Sequence, residues 1–160
     1  MKKSSTSKSL KNTKPMPTGR FTITINKFRP MGVGFPISAT MIPDVDNPKR
    51  ITIHGEDITI KGGDPVKLIF TLPNPSPEDG FVLLGIGFAA NSPSTTVGLH
   101  TFPTVTIDRF PTSSTMTVAD HPQDVGIQRY DYVMLVQKIS SGEIGIIDPS
   151  MINEPGRPSY

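Results

Sequence analysis

Seventeen of the 160 residues are proline, spread so that no segment keeps apolar residues at helical spacing over three turns. In a helix interior each would remove a hydrogen bond and clash with the preceding turn, at a cost of about 3 kcal/mol. What recurs instead is a period of two. In Phe21-Thr22-Ile23-Thr24-Ile25-Asn26 the apolar side chains fall on one face and the polar ones on the other, the pattern of a half-buried strand. Ile51-Thr52-Ile53-His54 and Asp57-Ile58-Thr59-Ile60 repeat it around Gly55-Glu56, which reads as a tight hairpin. Gly62-Gly63-Asp64-Pro65 marks a turn, and residues 66–72, 104–108, 114–118, 130–137 and 143–147 read as further strands. Residues 81–90 form the longest apolar run and are expected as a central strand buried on both faces. Short strands at regular spacing without helices predict an all-β fold, an immunoglobulin-like antiparallel β-sandwich of about eight or nine strands. The Cys and Trp hallmarks of antibody domains are absent, since the chain has neither residue.

The alternation begins at Arg20. Residues 1–19 are rich in Ser, Thr and Lys, with too little apolar surface to offset the entropy of ordering them, and read as a disordered basic tail. The β-sandwich domain is then 20–155 and the C-terminus 156–160 is frayed. Charge divides along the same line. Lys2, Lys3, Lys8, Lys11, Lys14 and Arg20 lie in residues 1–20 with no acid, which leaves ten basic against fourteen acidic residues in the remainder. A basic arm before an acidic body allows salt-dependent contact with nucleic acid, but the arm lacks the interleaved aromatics that would strengthen that reading. Ser4 to Lys14 contains Leu10 as its one apolar residue, so Met1–Lys3 is not followed by the roughly 7–15 apolar residues of a secretory signal. No run approaches the ~18 apolar residues of a membrane span. Absence of cysteine excludes disulfides and thiolate chemistry and fits a cytoplasmic location.

Several constellations resemble chemical motifs. Gly85-Ile86-Gly87-Phe88-Ala89-Ala90 matches a dinucleotide fingerprint as a string, but the loop-like Asn91-Ser92-Pro93 follows where a helix N-terminus would have to receive the phosphates. Asp44-Val45-Asp46-Asn47 offers oxygen ligands, yet Lys49 and Gly55 stand where a calcium loop needs Gly and Glu. A turn before Pro48 is the simpler role. His54, His100 and His121 are widely spaced and form no sequential ligand pair, so no metal, cofactor or catalytic set is assigned. Glu56/Asp57 and Glu78/Asp79 are adjacent acids, which strands would send to opposite faces. Tyr130 and Tyr132 share one strand face, either as an aromatic platform for a ligand or as core partners.

The C-terminal segment is the most distinctive. Asp148-Pro149 and Glu154-Pro155 bracket Met151 and Ile152 after the last strand, each acid held extended by the proline behind it. With the Tyr-rich strand before it and Gly63-Asp64-Pro65-Val66 upstream, this resembles the bacterial DP-EP family. The resemblance implies a β-rich bacterial protein and brings no catalytic residues. The leading expectation is therefore a non-enzymatic binding or protein-interaction module, possible as a homo-oligomer, with function in loops 73–80 and 91–103 and segment 148–155. Its candidate interaction residues are Asp148, Pro149, Glu154, Pro155, Tyr130 and Tyr132. The alternatives are an enzyme with a His/Asp/Ser site, which requires at least two histidines in one pocket, and nucleic-acid contact through the tail.

Overall fold

A computed structural model describes residues 15–32, 36–55, 57–74, 80–90, 101–122, 128–148 and 150–154. These form eleven strands: β1 (Thr18–Lys27), β2 (Ser38–Val45), β3 (Ile51–His54), β4 (Asp57–Lys61), β5 (Val66–Pro73), β6 (Phe81–Ala90), β7 (Thr104–Phe110), β8 (Ser113–Asp120), β9 (Gln128–Lys138), β10 (Ile144–Ile147) and β11 (Ser150–Glu154). No helix occurs among the described residues. The protein is all-β, built from a first sheet in the order β2-β1-β5-β8-β7 and a second of six strands. In the second, β9 is flanked on one side by β6 and on the other by β10 and β11, with β4 and β3 beyond β11.

Alternation sets the core. Phe21 and Ile23 of β1, Leu68, Phe70 and Leu72 of β5, and Met116 and Val118 of β8 point in from the first sheet. Ile51, Ile58, Ile60, Tyr130, Tyr132, Met134 and Val136 point in from the second, and the two sets form one cluster. Phe70 meets Tyr132 across the gap with ring centroids 6.0 Å apart. The β3–β4 hairpin closes as expected, with Gly55 at a φ of +66°, where a side chain is disfavoured.

Four features differ from expectation. First, β1 starts at Thr18, two residues before the alternation becomes visible, because Thr18 and Gly19 already pair with Lys67 and Leu68 of β5. Second, that pairing and the β4–β11 pairing are parallel, so neither sheet is purely antiparallel. Third, β2 and β11 were not foreseen. β2 carries Pro43, tolerable because the strand lies at a sheet edge, where a missing N–H need not interrupt a ladder. Fourth, β6 is not central. Among the described residues its one strand partner is β9, and Leu83 is the one fully buried. A bulge between Leu83 and Gly85 turns its first part, so that the Leu83 amide donates to the Ser114 Oγ of the first sheet at 2.9 Å.

Candidate interaction surface

The parity of β9 builds the surface. Tyr130, Tyr132, Met134 and Val136 are fully buried, so residues 131, 133, 135 and 137 face away from the core. Register then places Gly85 and Ile146 on either side of Leu135, Gly87 beside Val133, and Val82 and Ile144 on either side of Gln137. On this outer face Val133, Leu135 and Ile146 are half-buried, and Ile144 is 38% exposed. The two glycines leave the β6 side of the patch bare. A Cβ built on Gly85 would meet nothing within 4 Å, and one on Gly87 would touch only Val133 Cγ2, at 3.5 Å. The result is an apolar shelf two residues deep along β9 and β10, bordered by Asp131, Gln137 and the exposed Asp148.

The segment after β10 continues the same line. Ile144 to Ile147 pair with Gln137 back to Met134, and Ser150 to Asn153 pair with Asp131 back to Gln128, in one unbroken register. β10 and β11 are thus two halves of a single ladder, parted at Asp148-Pro149. The halves have different outer neighbours. β11 pairs with β4, whereas the chain between β1 and β2 lies along β10, with Met31 N donating to Ile144 O and Ile37 N to Ile146 O, each at 2.6 Å. Asp148 sits where one neighbour gives way to the other. Residue 154 pairs with Lys61 in the sheet interior, while Pro149 and Pro155 lie outside the described residues.

The two tyrosines are core residues, not a platform: both are fully buried. Tyr130 packs edge-on to Phe102 at 5.1 Å. Burial pushes its phenol pKa up, a side-chain hydrogen bond with Thr101 pulls it down, and the Asp120 charge raises it further. Asp120 and Thr101 are themselves buried, so this end of the core holds a polar group of three that the sequence reading missed. The signal was there in principle: Asp120 ends the alternation of β8 on its inward parity.

The two described histidines do not assemble a site. His54 is exposed at the end of β3, His121 follows β8 in the other sheet with its N–H donating to Thr101 O, and His100 lies outside the described residues. Among the described residues no three His, Cys, Asp or Glu side chains converge as metal ligands. Asp46 and Asn47 shape a turn: Asp46 Oδ1 accepts from Arg20 at 2.7 Å, and Asn47 O accepts from the amides of Arg50 and Ile51. The Arg20–Asp46 pair holds the guanidinium pKa above its ordinary value. A cleft of about 320 Å³ beside this turn is lined by Pro17, Asn47, Arg50, Asp64 and Pro65, among others, and Arg50 is tied to the Asp64 side chain and carbonyl. No described helix is long and apolar enough to cross a membrane.

No protein-family model matches the chain, and no curated protein sequence matches it. Among solved structures it is similar to an inclusion body protein, PixA, from Burkholderia cenocepacia J2315, with a TM-score of 0.45 and 12% identity over 92% of this chain and 99% of that one.

Proposed function

We propose that this chain is a non-enzymatic protein-interaction module that docks its partner on the outer face of the second sheet. One observation carries the reading: an apolar shelf of Val133, Leu135, Ile144 and Ile146 lies on a face that no described element covers. It is rimmed by polar groups, as the centre and border of a docking patch are. Asp148 belongs to that rim, and with Pro149, Glu154 and Pro155 it supports placing the chain with the DP-EP proteins.

The scaffold we propose for it is an immunoglobulin-like Greek key preceded by the additions β1 to β3. Support comes from how the strands divide. β5, β8 and β7 are neighbours in one sheet, and β6, β9 and β10/β11 in the other, as strands B, E, D and C, F, G are in the constant-type fold. Tyr130 stands near the start of the F-equivalent strand, where that fold carries its corner tyrosine. Two residues on, Tyr132 packs against Phe70 of the B-equivalent strand, in the position of the antibody disulfide.

Native mass spectrometry of protein purified gently from its own host tests the docking reading. A second polypeptide should be retained, and Leu135→Lys or Ile146→Lys should release it with Tm within a few degrees of the parent. A chain that carries no polypeptide, or a small molecule or metal in its place, overturns the proposal.

A further inference from the structure

The sheet edges of this molecule are protected in different ways, with one exception. β2 carries Pro43 and Asp44, β3 is four residues long, and β7 carries Asp108 and Arg109. The outer edge of β10 is covered by the Met31 and Ile37 amides, and that of β11 by β4. Short length, proline, charge and cover are the devices by which native sheets avoid pairing with foreign strands. β6 uses one of them in its first part, the bulge that turns Leu83 toward Ser114. From Gly85 to Ala90 none is found among the described residues. These six residues run in regular register along β9, contain no charge and no proline, and meet no strand on their other edge among the described residues.

We propose that this open edge pairs with the same strand of a second copy of the chain, antiparallel across a two-fold axis, so that the two six-stranded sheets become one. The proposal goes beyond the docking reading above: it uses the edge of the same sheet rather than its outer face. An edge strand leaves alternate N–H and C=O groups unpaired, so what completes it is a strand. Polarity selects which. On its inward side an added strand would lie beside Ile86 and Phe88, which pack against the core, so its side chains there must be apolar. A second β6 brings only apolar and glycine residues, and a two-fold axis makes the contact self-complementary. Gly87 and Ala89 are exposed and face outward, so side chains do not obstruct an approaching strand. Six residues of ladder are a small contact, which predicts a weak, concentration-dependent dimer.

Analytical ultracentrifugation of the full chain over a wide concentration range, with hydrogen–deuterium exchange at both extremes, tests this. The expected result is a monomer–dimer equilibrium whose dissociation constant rises at least ~10-fold in Gly87→Lys and Ala89→Lys, since each apposes like charges across the axis. Ile42→Lys, on the far sheet, leaves it unchanged. Amides within 85–90 of the parent protein exchange more slowly at high concentration, a readout that needs no variant. A monomer throughout, or a dimer indifferent to both lysines with no added protection in 85–90, overturns β6 pairing. A monomer that still retains a foreign polypeptide in the mass spectrum overturns β6 pairing while leaving the docking reading in place. A bare monomer in both measurements overturns both.

Discussion

At the scale of single residues, two glycines that flank β9, Gly145 facing inward beside Val136 and Gly85 facing outward beside Leu135, have opposite prospects. Gly145 of β10 is a close-approach site: an added Cβ would lie 2.5 Å from the Arg29 carbonyl oxygen and 2.7 Å from Ile37 Cδ1. The carbonyl is backbone and cannot swing aside. Gly145→Ala should therefore cost ~1–3 kcal/mol in urea denaturation, as overpacking does. Gly85→Ala meets nothing within 4 Å and should be neutral or stabilising by a few tenths to ~1 kcal/mol, by restricting the unfolded chain. Tyr130 makes a second prediction. Its phenol pKa is raised above 10.0, chiefly by burial, so the folded state holds the proton more tightly than the unfolded chain. That contribution is fully present below about pH 10 and is lost as pH rises through the folded-state pKa. Unfolding free energy measured at alkaline pH should fall more steeply for the parent than for Tyr130→Phe, and equal slopes would contradict the burial account.

At the scale of elements, the strands that face core on one side and water on the other are legible, because β1, β5 and β8 alternate. Where alternation was blurred, expectation and structure part. In β6 the apolar residues run on without a break, which reads as burial on both faces. Among the described residues the strand nonetheless pairs on one edge only, and its outward positions after the bulge are Gly85, Gly87 and Ala89; small residues enlarge an apolar run without enlarging its apolar surface. The doubly apolar strand is β9, where Val133 and Leu135 interleave with Met134 and Val136. That interleaving, with Ile144 and Ile146 at outward parity in β10, was the available sequence signal for the docking face. It cannot be read from the chain alone, because parity has meaning only once the neighbouring strands are known. β11 was missed for a different reason. Pro149 has no N–H to give a ladder, so the sequence predicts an end to the sheet there, whereas β11 takes up the same register on β9 from Ser150 to Asn153.

At the scale of the whole molecule, the question is what joins two sheets in a chain with no cysteine. The described contacts answer with rings. Phe21 stacks on Phe70 at 5.0 Å, Phe70 meets Tyr132 at 6.0 Å, and Tyr132 meets Phe88 at 6.2 Å. Phe88 stacks on Phe102 at 3.7 Å, and Phe102 meets Tyr130 edge-on at 5.1 Å. The series starts on β1, crosses from β5 to β9 at its second step, and ends on β9 again, so within it Phe70–Tyr132 is the step that crosses between layers. A disulfide at that position would act on the unfolded chain by shortening its loops, whereas a ring pair acts through contact in the folded state. The two differ in what a double-mutant cycle reports. Phe70→Leu and Tyr132→Leu, read by urea denaturation singly and together, should each cost ~1–3 kcal/mol, with a favourable coupling of ~0.5–1.5 kcal/mol between them. Additive losses would mean that the rings serve only as separate volumes in the core and that the layers are held by area alone. Coupling of that size would instead make one aromatic contact the specific joint between the sheet that carries β1 and β5 and the sheet that carries the docking face.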